Sequence, residues 1–119
     1  MIIQLYQQTK ESSFRLSQRT LLKLGFTLEL TDESKGIISS QKKMSSGHIL
    51  FFDVLVKRQL HSIKVSLVSS VLSGNTGTFI ADAVSEEQFL EIFHDLLRIQ
   101  LPDNPLKLSY NDYALAVGF

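Results

Sequence analysis

At Gly25 the apolar period of the chain changes from about 3.6 residues to two, and this switch limits the folds open to it. Before it, Phe14, Leu21 and Leu24 lie within one helical stripe, with Leu22 at its margin. After it, Phe26, Leu28 and Leu30 alternate with Thr27, Glu29 and Thr31, the pattern of a half-buried strand. Ser12 and Ser13 stand where N-caps belong, Arg19 and Lys23 suit the negative end of the helix, and Gly25 is a natural C′ residue. Residues 2–8 fit either an extension of this helix, through Ile3 and Tyr6, or a separate strand.

The strands that follow are marked by their breaks. Asp32-Glu33-Ser34-Lys35-Gly36 has turn composition, and Ile37-Ile38-Ser39-Ser40-Gln41-Lys42 returns as a partner strand. After Ser45-Ser46-Gly47, residues 48–57 and 61–72 flank the short connection Arg58-Gln59-Leu60 and read as an antiparallel hairpin. One register sets Leu50 opposite Leu67, Phe52 opposite Val65 and Val54 opposite Ile63 on an apolar face. The same register sets Asp53 opposite Lys64 on the other face, so an ion pair is expected there. Residues 78–81 read as a short further strand. Ser85-Glu86-Glu87-Gln88 reads as a capping box opening a helix whose stripe is Phe89, Ile92, Phe93, Leu96 and Leu97. Pro102 and Pro105 end it.

The predicted fold is α+β: a two-layer α/β sandwich with an antiparallel sheet of three to four strands and both helices on one face. The expected core is Phe14, Leu21, Leu28, Phe52, Val54, Val65, Leu67, Phe89, Phe93 and Leu96. Residues 1–105 form this single domain, in the order α-β-β-β-α, and residues 106–119 form an apolar C-terminal tail. At 119 residues there is little room for a second domain, and 44% hydrophobic with 20% charged residues is a globular composition.

Composition also narrows function. Twelve basic against twelve acidic residues argue against a broad nucleic-acid-binding surface. The sum hides a division: residues 1–64 carry net +5 and residues 65–119 net −5, expected to neutralise each other across the fold. The absence of cysteine excludes disulfides, thiolate metal sites, a cysteine nucleophile and a lipidated cysteine within these residues. No stretch approaches the roughly 18–20 uninterrupted apolar residues of a membrane span. The start, Met1-Ile2-Ile3-Gln4-Leu5-Tyr6, does not read as a signal peptide. Two locations stay open: the cytoplasm as written, or the bacterial envelope if a leader was trimmed.

No constellation in the sequence specifies a reaction. His48 and His61 fall at opposite ends of the hairpin, and His94 is followed one turn later by Arg98, so no metal ligand set is expected. There is no Gly-x-Ser-x-Gly elbow. Asp53 interrupts an apolar strand, but a Lys64 partner favours its ionised form and a structural role. Gly74-Asn75-Thr76-Gly77 lacks the lysine of a P-loop and reads as a turn. Lys42-Lys43 and Lys57-Arg58, with His61 and Lys64, read as solvated strand ends. No catalytic residue and no cofactor is assigned.

A helix closing in Leu24-Gly25-Phe26, then Asp32-x-x-x-Gly36-Ile37-Ile38, two strands, and a terminal helix carrying Glu87-Gln88-Phe89-x-x-Ile92-Phe93 resembles small α-β-β-β-α domains of bacterial envelope proteins. Many of those are lipoproteins. The resemblance covers residues 13–101 and implies an envelope location and a non-catalytic role. It brings no functional residues, and the lipidated cysteine of such proteins is absent.

The expected function is therefore that of a protein-interaction domain. The outer strand positions Ile49, Phe51, Leu55 and Val68 are more apolar than a solvated face needs. Tyr110, Tyr113, Leu115, Val117 and Phe119, with Leu106 and Leu108, make a tail that must cover something, and it is expected to pack as an added strand on the sheet of its own chain or of a neighbouring one. The expected partner is another protein or a second copy, through the sheet face or the tail, with no nucleic acid. The alternative is a ligand-binding or enzymatic domain with a pocket between helices and sheet, lined by Asp53 with His48 or His94.

Overall fold

The computed structural model describes residues 1–73 and 79–100 of the chain. The elements run β1 (Ile2–Leu5), α1 (Lys10–Lys23), β2 (Thr27–Asp32), β3 (Ile37–Lys43), β4 (Ile49–Arg58), β5 (Ile63–Leu72), β6 (Phe79–Ala81) and α2 (Ala83–Gln100). All strand pairs are antiparallel, in the order β1-β5-β4-β3-β2. β1 and β6 share one edge of β5 end to end, β1 on residues 63–66 and β6 on residues 70–72. The fold is α+β as expected, but the sheet is larger than three to four strands. Within residues 2–8, Ile2–Leu5 form a strand rather than an extension of α1, and the chain turns at Gln7 (φ 61°) before the helix begins.

Both helix starts lie upstream of the expected serines. Thr9 is the N-cap of α1: its side chain accepts from the Ser12 backbone N–H at 3.0 Å, and Ser12 Oγ accepts from the Thr9 N–H at 3.2 Å. Ser13 is buried one turn into the helix. Asp82 precedes α2 and accepts from the Ser85 backbone N–H (3.3 Å) and from the Ser85 hydroxyl, so Ser85 occupies the third helical position. The far end of α1 closes as the sequence indicates. Gly25 (φ 87°) donates to Leu22 O and Phe26 to Leu21 O, both at 3.0 Å, a Schellman ending.

One face of the sheet and both helices enclose a single core. Ile3, Leu5, Ile38, Phe52, Val54, Val56, Val65, Leu67, Phe89 and Phe93 are all buried within it. Nine of the ten expected core residues are buried; Leu28 is only partly covered. At the centre the rings of Phe26 and Phe52 meet edge to face at 5.6 Å. Phe52 stacks on Phe89 at 5.1 Å, and Phe89 on Phe93 at 5.6 Å. α1 packs against α2 as well as the sheet, so its buried face is wider than the expected apolar stripe. Ser13, Ser17 and Thr20 are fully buried, and each hydroxyl donates to the carbonyl four residues back, at 2.8, 2.8 and 2.7 Å. These slim side chains satisfy themselves locally.

Two backbone details fix the sheet. Gly36 (φ 70°) closes the β2–β3 turn and accepts from the Val56 N–H at 2.7 Å. A Cβ there would lie 2.0 Å from Val56 O, so glycine is required by space as well as by conformation. Between Leu28 and Leu30, β2 slips by one residue against β3. Leu28 lies opposite buried Ser40, but Leu30 lies opposite Ser39 on the other face and is 55% exposed. The bulge thus overturns the expected inward alternation of Phe26, Leu28 and Leu30.

Phe93→Ala should lower the unfolding free energy in urea by about 3–5 kcal/mol, because the ring is buried within the aromatic stack. Gly36→Ala should cost about 2–4 kcal/mol through combined strain and overpacking. A loss below about 1 kcal/mol in either variant would contradict this packing.

Candidate interaction surface

The β4–β5 hairpin is paired four residues away from the expected register. Leu50 faces Val71, Phe52 faces Ser69, Val54 faces Leu67 and Arg58 faces Ile63. The connection is residues 59–62, closed by Gln59 N–H donating to Ser62 O at 2.8 Å. An even shift leaves every side chain on its expected face but changes its neighbours. Asp53 faces Val68 instead of Lys64, and Lys64 faces Lys57. The expected Asp53–Lys64 ion pair is therefore absent, and Asp53 is exposed with no ion pair among the described residues.

Alternation places the other side chains of the sheet away from the helices. One row across it reads Ile2, Ser66, Leu55, Ile37, and the next reads Val68, Asp53, Ser39, Leu30. Val68 is 63% exposed and Leu55 37%, while Ile49 and Phe51 are half-buried further along β4. The four strand positions singled out from the sequence thus share this outer face. Leu30, Ile37 and Ile2 extend the apolar surface beyond them. Leu30 was hidden by the bulge, and Ile2 by the ambiguity of the first eight residues. Glu29 and Gln41 flank the surface on the β2 side, with Gln41 Nε2 donating to Glu29 Oε1 at 2.8 Å. Tyr110, Tyr113, Leu115, Val117 and Phe119 lie outside the described residues.

The histidines and carboxylates are not brought together. His48 lies before β4, with Nδ1 2.8 Å from Ser46 Oγ, while His61 is exposed in the loop at the opposite end of the hairpin. His94 is on α2, with Nδ1 3.9 Å from Asp95. Burial, reinforced by the Arg98 guanidinium, holds its pKa below the ordinary histidine value, against the opposing pull of Asp95. Asp53 projects from the face opposite the helices, so it does not line a pocket with His48 or His94 between the layers. Among the described residues no three His, Asp or Glu side chains converge on a common ion site. Asp32 is held below its usual range by the Ser34 hydroxyl and the Lys35 backbone N–H, a turn interaction at the surface.

Charge neutralisation between the two halves is sparse. Among the described residues, one ion pair joins them: the Met1 amine to Glu86 at 3.1 Å, with that amine also donating to Leu67 O. Arg15–Glu33 lies within the first half and His94–Asp95 within the second. No described helix is long and apolar enough to cross a membrane. An open groove of about 310 Å³ lies where the turn at Gln7 meets the β4–β5 loop, lined by Gln8, Thr9, Arg58 and His61 among others.

Compared with known protein families and with curated protein sequences, the chain matches none. Asp53→Asn should change the unfolding free energy by no more than about 0.5 kcal/mol, because the carboxylate is exposed and unpaired. A loss above about 2 kcal/mol in urea titrations would show instead that Asp53 holds a structural contact.

Proposed function

We propose that this chain is a non-enzymatic protein-interaction domain of the bacterial envelope, and that the outer face of its sheet is the contact surface. The observation that carries the reading is the exposure of Leu30, Leu55 and Val68 on a face that also presents Ile2 and Ile37. A solvated antiparallel face is ordinarily polar, so contiguous aliphatic groups there favour a covering partner. The envelope location rests on the resemblance of the helix–strand pattern, which the additional strands β1 and β6 make less close.

The proposed partner is a second copy of the chain, contributing residues 106–119. Leu106, Leu108, Tyr110, Tyr113, Leu115, Val117 and Phe119 give that segment apolar side chains suited to covering the face. Exchange of this segment between two copies gives a self-complementary assembly.

Light scattering on the full chain should return a dimer, and Val68→Lys should shift it to monomer with an unchanged circular dichroism spectrum. A wild-type monomer at 100 µM, set here as roughly a hundred times a 1 µM dissociation constant, would refute the proposal. So would a dimer indifferent to Val68→Lys.

A further inference from the structure

The register of the β4–β5 hairpin gathers like charges at its tip. Lys57 and Lys64 are directly opposite each other, next to the neutral Gln4, and like charges in that position are destabilising. Arg58 completes the cluster, with the His61 ring beside it in the loop. Among the described residues none of these four side chains forms an ion pair. The acids of the β2–β3 turn at the same end of the sheet are engaged elsewhere. Asp32 accepts from Ser34 and Lys35, and Glu33 faces Arg15 at 3.9 Å.

Between these cations stands Leu60, 90% exposed, the most exposed of the large apolar residues described. Its position is fixed. Gln59 N–H donates to Ser62 O across the four-residue loop, and Ser62 Oγ donates to Gln59 Oε1 at 3.1 Å. Closing the loop at its base holds the leucine outward, where it touches none of the core.

We propose that this tip binds the surface of an anionic lipid bilayer, with Leu60 entering the interface and Lys57, Arg58 and Lys64 meeting the lipid phosphates. The combination selects the partner. A bilayer offers an apolar layer directly beneath a plane of negative charge, and an apolar apex flanked by basic residues matches both. A nucleic acid would answer the cations but leave Leu60 without a role. The contact is peripheral, at the hairpin end of the sheet, with Lys57 and Lys64 in the row next to Leu55 and Ser66.

Vesicle flotation with the full chain tests this. Vesicles of phosphatidylcholine with 30% phosphatidylglycerol (on the order of the anionic content that gives a negative surface potential) should carry the protein, and pure phosphatidylcholine vesicles should not. Raising salt from about 0.05 to 0.5 M should release it, since screening shortens the reach of the surface charge. Lys57→Gln with Lys64→Gln should weaken partitioning about 25-fold, from about 1 kcal/mol for each basic residue at an anionic surface. Leu60→Ser should also weaken it, whereas Lys23→Gln at the end of α1 should not. The proposal is overturned by equal binding to both vesicle types, or by indifference to Leu60→Ser. It is equally overturned if duplex DNA binds as tightly as the anionic vesicles and Leu60→Ser leaves the vesicle binding intact.

Discussion

The aromatic column through Phe26, Phe52, Phe89 and Phe93 is the contact on which the rest of this structure depends. Phe52 sits in the middle strand of the sheet, Phe26 at the exit from the first helix, and Phe89 and Phe93 one turn apart on the second. Their stacking commits both helices to one side of the sheet. That commitment seals the inner face and leaves the other face to whatever else the chain or a partner supplies. The asymmetry between a closed face and an apolar open one follows from this arrangement.

Much of this was legible in the sequence because it is encoded locally. The spacing of Phe89 and Phe93 gave the buried stripe of α2, and Leu24-Gly25-Phe26 gave the helix ending, since each depends on residues within one turn. Alternation along residues 49–57 placed Phe52 and Val54 inward and Phe51 and Leu55 outward. Register was not legible. Two pairings that differ by an even shift bury the same residues, and the match of Asp53 to Lys64 favoured the wrong one. What decides between them is the closure of residues 59–62, a hydrogen bond that composition does not announce.

Other features were masked by residues whose letters misstate their surroundings. Ser13 reads as a cap, and Ser17 and Thr20 are polar by letter, yet all three are buried, each with its hydroxyl bonded to its own helix. Leu30 reads as part of the apolar face of a half-buried strand, and one extra residue in β2 turns it to solvent. That bulge also irregularises an edge strand, a feature that discourages unwanted pairing there. The helix layer is tighter than its apolar content suggests, and the outer face is more apolar than its strands suggest.

A disulfide trap tests most directly the claim that the outer face is covered by the C-terminal segment of a second copy. The chain has no cysteine, so a pair introduced by Val68→Cys and Leu115→Cys reports only that contact. Oxidation of the otherwise intact protein carrying both substitutions should give a covalent dimer on a non-reducing gel, and neither single variant oxidised alone should give one. A disulfide formed within one chain would contradict the exchange, and no disulfide at all would contradict coverage of the face by this segment.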